Sequence, residues 1–174
     1  MALMVLSVVG SDRPGLTQAL AAAVVSAGGN WLESHLSQLG GLYVGSVLVA
    51  LAADGADGLR AAVGAVDAHG LEVRVVPAGD APGVSGEALQ FGLVGQDRPG
   101  IVSEVTAILS RLGANVETFE TRLSEESYSG VPLFHMDARL RLPPGLQAGE
   151  VQAALEAISA EIMVDFSLTV AGRG

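Results

Sequence analysis

Residues 10–15 read GSDRPG and residues 95–100 read GQDRPG. Each hexapeptide follows an apolar run and precedes an apolar stripe at helical spacing, the place where a strand turns into a helix. The backbone N–H groups of Gly15, Leu16 and the next residue would point outward from a helix N-terminus, with the positive end of the helix dipole behind them. Such an arrangement takes a small anion, a carboxylate as well as a phosphate, and a glycine at 15 lets a ligand approach the backbone closely. Asn30, after Gly28 and Gly29, offers an acceptor and two donors, and Asp12 adds a negative charge suited to an amino group. Together these residues describe a zwitterion site, with the helix N-terminus for the carboxylate and Asp12 with Asn30 for the ammonium.

A plainer reading stands beside it. Asp12 caps the helix, a contribution of about 1 kcal/mol, and Pro14 lies in the first turn, where its missing N–H costs nothing. Gly15 serves tight packing, Asn30 occupies a turn of positive φ, and Arg13 and Arg98 are solvated. Duplication preserves caps as faithfully as sites, so the repeat does not choose between the two.

The two motifs are 85 positions apart, and their neighbours repeat with them. Between Val9–Asn30 and Val94–Asn115, 9 of 22 positions are identical: Val9, Gly10, Asp12, Arg13, Pro14, Gly15, Ala22, Gly28 and Asn30 with their counterparts. The matches fall on turn and boundary residues while the rest keep only apolar character, the pattern of a duplicated fold.

The elements that must position these residues follow from periodicity. LMVLSVVG reads as a buried strand ending at Gly10. Leu16, Leu20, Ala23, Val24 and Ala27 form a helical stripe closed by Gly28 and Gly29. NWLESHLSQL is half-buried at best, and Gly40–Gly41 is a two-residue hairpin signal returning the chain into LYVGSVLVALA. A second helix carries Leu59, Ala62, Val63 and Val66 on one face and stops at Gly70, and LEVRVVP alternates as a last strand. The second unit repeats the order as strand 89–95, helix 99–112, strands 115–124 and 132–142, helix 148–160 and strand 163–170. The expected class is therefore α+β, two ferredoxin-like βαββαβ units, each a four-stranded antiparallel sheet with two helices on one face. The domains are expected at 1–77 and 88–174, with a Pro/Gly-rich linker at 78–87. Residues 124–132 lengthen the second hairpin into a projecting loop, read either as solvated or as a partner contact or lid.

Composition bounds the function. The 174 residues hold 19 acids, 9 arginines and no cysteine, for a net charge of −10, and the charge divides evenly when the chain is split after Glu87. A negative field spread over both halves repels phosphate backbones, so direct nucleic-acid binding is not expected. Absence of cysteine excludes disulfides and thiolate metal sites and fits a reducing compartment. The apolar start MALMVLSVVG lacks the basic flank of a signal peptide, and no stretch has the roughly 18–20 apolar residues of a membrane span; the expected location is the cytoplasm, with no membrane association. His35, His69 and His135 are far apart and form no metal-ligand spacing. Glu125 and Glu126 are adjacent rather than facing. No nucleophile elbow, phosphate loop or dinucleotide fingerprint occurs. No catalytic residue, metal or cofactor is expected.

A βαββαβ unit with DRPG at the first strand–helix turn and GGN or GxN at the second strand resembles an ACT domain. The tandem arrangement, with a second hairpin reading SGVPLFHMDARLRLP, is similar to the glycine cleavage system transcriptional repressor family. The resemblance implies units that pair and bind amino acids at their junctions, each site borrowing a wall from another unit. It maps the ligand contacts onto Ser11, Asp12, Arg13, Pro14, Gly15, Leu16 and Asn30, and onto Gln96, Asp97, Arg98, Pro99, Gly100, Ile101 and Asn115. Ser11 becomes Gln96, Leu16 becomes Ile101 and Trp31 becomes Val116, so the two sites need not be equal. The implied protein is a non-catalytic sensor of a small amino acid, glycine or a relative. It would act on a protein partner, a transcriptional activator or an enzyme, and could assemble as a homodimer. The alternatives are a ligand-free ferredoxin-like interaction module and a regulatory chain for an amino-acid or one-carbon enzyme.

Overall fold

A computed structural model describes residues 1–67, 70–79, 86–125, 130, 132–159 and 164–170, with residues 67, 158, 159 and 164–170 given by their backbone alone. The chain divides into two compact units, Met1–Asp80 and Ala81–Gly174. The first contains β1 (Ala2–Ser11), α1 (Leu16–Ser26), β2 (Asn30–Leu39), β3 (Leu42–Leu51), α2 (Ala56–Asp67) and β4 (Leu71–Pro77). The second contains β5 (Ala88–Gln96), α3 (Ile101–Arg111), β6 (Asn115–Glu125), β7 (Pro132–Arg141), α4 (Ala148–Ser159) and β8 (Val164–Val170). Both sheets are antiparallel, in the orders β2-β3-β1-β4 and β6-β7-β5-β8.

In the first unit Met4, Leu6 and Val8 of β1 alternate into the core, where they meet Val47, Val49 and Leu51 of β3. Leu16, Leu20, Ala23 and Val24 of α1 and Leu59, Val63 and Val66 of α2 close over the same sheet face. One face only is covered. Leu3 and Val9 lie on the other, so the continuous apolar run of β1 is a one-sided strand and not the buried one its sequence suggests. Run length cannot separate these cases when the open face is also apolar. The second core repeats the plan with Leu89, Phe91, Leu93, Val105, Leu109, Met136, Ala138, Leu140, Val151 and Leu155.

Local signals explain the boundaries. Gly28 has φ +71° and its N–H donates to Val25 O, while Gly29 N–H donates to Val24 O, a Schellman ending. Gly113 and Ala114 end α3 through the same two bonds, to Ser110 O and Leu109 O. Gly40 and Gly41, at φ +59° and +82°, make the tight hairpin between Leu39 and Leu42, both central residues having the positive φ that a type I′ turn requires. The helix expected over 99–112 runs Ile101–Arg111; Pro99 and Gly100 precede it for reasons given below. His69, linker residues 80–85, and 126–129 and 131 of the second hairpin loop lie outside the described residues.

Candidate ligand site at the duplicated strand–helix turns

Each DRPG segment joins the end of an inner strand of its sheet, β1 or β5, to a helix start. Gly15 is the N-cap of α1 with φ +93° and ψ −5°, and Gly100 is the N-cap of α3 with φ +92° and ψ −8°. Gly15 O receives the first helical bond, from Ala19 N–H at 2.9 Å, and Gly100 O receives that of Glu104 at 3.0 Å. No side chain caps either helix.

This corrects the plainer sequence reading at three points. Asp12 does not cap α1; its Oδ2 accepts from Gln38 Nε2 at 3.0 Å instead. Pro14 stands before the N-cap, outside the first turn. Gly15 is not required for packing, because a Cβ there would meet nothing within 4 Å. What requires glycine is the left-handed backbone, which L-residues enter at a cost of about 1–2 kcal/mol. The glycine turns the chain so that the first-turn N–H groups face outward with no side-chain oxygen over them.

The asparagines stand elsewhere. Along β3, Ser11 pairs with Leu42 and Asn30 pairs with Ala50, eight residues away; at a rise near 3.4 Å per residue the separation is roughly 27 Å. The second unit repeats this, with Gln96 opposite Leu133 and Asn115 opposite Arg141. The cause is α1 itself, which returns the chain along the sheet before β2 begins. Asp12 and Asn30 therefore do not converge within a unit, and the zwitterion site drawn from their sequence proximity is not formed there. Nor does Asn30 sit in a turn of positive φ, since none of the described non-glycine residues has one; it opens β2.

Around the two loops the units have diverged. At the first, Thr17 Oγ1 and Tyr43 OH share a 2.6 Å hydrogen bond beside the Asp12–Gln38 pair. Register places Leu123 and Phe134 of the second unit where Gln38 and Tyr43 stand in the first, and Val102 replaces Thr17. Arg13 lies against Gly70, where a Cβ would come 2.8 Å from its Nη2. Arg98 instead reaches across the start of α3: its Nη1 donates to Glu104 Oε1 at 3.0 Å and its Nη2 to the other carboxylate oxygen. That bond holds the Glu104 carboxyl below the usual carboxylate range. Arg98 is thus not the solvated side chain the plainer reading supposed, whereas Arg13 stays exposed, as that reading has it. A carboxylate already stands in the first turn of α3, whereas the first turn of α1 carries no acid.

Sequence reasoning missed Gln38, Thr17 and Tyr43. Two of the three were visible, since the 85-residue offset sets Gln38 against Leu123 and Thr17 against Val102. The longer second hairpin shifts that offset and hides Tyr43 against Phe134. It also missed the ion cluster near Asn115, where Glu117 binds Arg141 Nε at 2.8 Å and Arg139 Nε at 3.0 Å. Glu117 is the extra residue of a bulge between Val116 and Thr118, a feature that re-aims a side chain and leaves no mark in periodicity.

His35 and His135 do other work. His35 is an exposed β2 residue 3.2 Å from Glu33, and His135 meets Ser124 Oγ at 2.7 Å. Among the described residues no cluster of three or more His, Cys, Asp or Glu could hold a metal ion, and no helix is long and apolar enough to cross a membrane.

Known proteins agree with this architecture. Two family models, each described as an ACT domain, match residues 2–76 and 89–148. A crystal structure of an unknown protein from Galdieria sulphuraria superposes with a TM-score of 0.86 at 30% identity, covering 98% of both chains. That of a candidate glycine cleavage system transcriptional repressor superposes at 0.70 with 14% identity, again over 98% of each, a likeness of fold. Phosphoserine phosphatase SerB2 of Mycobacterium tuberculosis is 29% identical over 170 residues, which are 95% of this chain; the match spans 40% of that enzyme's length. ACT domains are regulatory units that bind small ligands such as amino acids, and this chain, with one in each half, belongs to the ACT-domain family.

Proposed function

We propose that this chain is a non-catalytic regulatory protein that senses a small amino acid, glycine or serine, and passes the signal to a protein partner. Residues 1–77 and 88–174 act as its two domains, joined by 78–87. The observation that carries the reading is the pair of N-cap glycines with matching left-handed backbones, which leave the first-turn N–H groups of α1 and α3 without a side-chain cap. A carboxylate is the natural acceptor for such donors, and Asp12, three residues before Gly15, is the group for an ammonium. Asn30 and Asn115 enter a site only where the loop of another ACT unit is brought to them, as an assembly of copies allows.

The likeness of fold to the candidate glycine cleavage repressor supports a transcriptional activator as the partner. A ligand moves such a switch only by its differential affinity for two states, so a tenfold response needs about 1.4 kcal/mol between them. The test is a thermal-shift panel of the twenty amino acids followed by calorimetry with glycine and serine. Selective stabilisation by one or a few is the expected outcome; a panel without any selective shift refutes the sensor.

A second reading is favoured by the phosphatase match. In it the chain serves as a regulatory partner for an enzyme of amino-acid metabolism, and the sensed ligand is a substrate or product of that enzyme. Affinity capture with and without the stabilising amino acid separates the two readings, because one recovers a DNA-binding protein and the other an enzyme.

A further inference from the structure

Where the chain enters the second unit, a side chain holds its backbone. The division between the units falls between Asp80 and Ala81, and β5 starts at Ala88. Just before that strand, Leu142 N–H donates to Glu87 O at 2.9 Å, and Arg141 Nη1 donates to Gly86 O at 3.2 Å. Gly86 has φ +142°, and a Cβ on it would collide with Leu142 O. The chain therefore bends against the end of β7 at a point that demands glycine.

Arg141 can hold that carbonyl because its other edge is fixed. Its Nε donates to Glu117 Oε1 at 2.8 Å and its Nη2 to Oε2 at 3.3 Å. This two-pronged bond sets the plane of the guanidinium and leaves Nη1 for Gly86 O. Glu117 is steadied in turn by Arg139 Nε at 3.0 Å. The Arg141 and Glu117 side chains are each 23% exposed, which spares them part of the screening that weakens surface pairs.

The first unit shows that the sheet does not need this cluster. Strand register equates Arg141, Arg139 and Glu117 with Ala50, Leu48 and Leu32, none of which can form an ion pair. Leu32 even stands in the same bulge, between Trp31 and Glu33. Fold and bulge thus form without the clamp, and the clamp belongs to the unit that receives the linker.

We propose that Arg141, oriented by Glu117, anchors the linker: it fixes the direction in which the chain runs back from Gly86 toward the first unit, and so restricts the motion of one unit against the other. Without it the dihedral angles at Gly86 and Glu87 are free to turn, and rotation at a few such angles is what makes a hinge. The proposal does not depend on which ligand the chain senses. The chain has no cysteine, so spin labels at Ala22→Cys and Ser110→Cys, exposed positions on α1 and α3, report unit-to-unit distances without background. Arg141→Gln should broaden the distance distribution and speed amide exchange at Leu142 by about fivefold. Glu117→Gln, which leaves Arg141 unsteered, should act in the same direction and less. Arg139→Gln loosens the same carboxylate but leaves Gly86 held, and its distribution should match that of the parent chain. Thermal melts monitor folding; if Arg141→Gln does not fold, Glu117→Gln against Arg139→Gln decides. A distribution unmoved by loss of the clamp, or broadened equally by Arg139→Gln, overturns the anchor and leaves the cluster as reinforcement of the sheet.

Discussion

Gln38 Nε2 donates to Asp12 Oδ2 at 3.0 Å, tying the end of β2 to the loop that opens α1. Among the described residues Asp97 has no such arm, because Leu123 stands in the place of Gln38; its backbone N–H donates to Pro132 O at 3.0 Å. The first loop thus has an aspartate held in one orientation beside a hydroxyl pair, and the second is bordered by Leu123, Phe134 and the Arg98–Glu104 pair. An amino acid needs an anion donor and an ammonium acceptor together, and only the first loop offers both without a competing carboxylate in the helix's first turn. Calorimetry should therefore give one bound amino acid per chain. Gln38→Leu should reduce its affinity about tenfold, the equivalent of about 1.4 kcal/mol, while Asp97→Asn should leave it unchanged. Two equal sites per chain would contradict this assignment.

Glycine substitutions separate backbone strain from steric exclusion. At Gly15 and Gly100 a Cβ meets open space, so alanine should cost only the left-handed penalty, about 1–2 kcal/mol and nearly equal at both. At Gly45 a Cβ would fall 1.9 Å from His35 O, and at Gly10 2.4 Å from Gly70 O. Neither backbone oxygen can yield without breaking the sheet. Urea denaturation should place Gly45→Ala and Gly10→Ala well below Gly15→Ala in stability, by several kcal/mol or to the point of misfolding.

The sequence shows the order of elements clearly and the site only in part. Repetition of Gly-x-Asp-Arg-Pro-Gly and of Gly28/Gly113 marks backbone positions whose φ is fixed by chirality, and such constraints survive duplication. Hairpin glycines and core periodicity are legible for the same local reason. Convergence in space is not local. Asp12 and Asn30, 18 residues apart in sequence, end on opposite ends of a sheet because a helix intervenes, while Asp12 and Gln38, 26 apart, touch. The bulge that delivers Glu117 to Arg141 depends on strand pairing, which no window of residues reveals.

The first hairpin leaves room for stabilisation. Gly40 holds φ +59°, inside the region asparagine tolerates, and a Cβ there meets nothing within 4 Å. Gly40→Asn gives the Asn-Gly pair favoured in type I′ turns and lowers the entropy of the unfolded chain. A gain of roughly 0.4–1 kcal/mol is expected, read as a raised urea midpoint with an unchanged slope. Gly45→Asn, at φ +148° and hard against His35 O, should do the opposite.

Acid should release the clamp at Glu117. The hydrogen bond from Arg141, supported by the charges of Arg141 and Arg139, holds this carboxyl below the usual carboxylate range. The folded chain therefore binds this proton less readily than the unfolded chain, so the contribution to stability is complete above the unfolded value near pH 4.3 and is lost as pH falls through the lower folded value. Its size is limited by solvent screening to about 1 kcal/mol or less. Glu117→Gln cannot ionise. At neutral pH it should melt below the parent chain, and the gap should narrow below about pH 4 and close in stronger acid. Paired melts across the acid range measure this directly, and a gap that does not change with pH would mean the arginines do not hold the carboxylate.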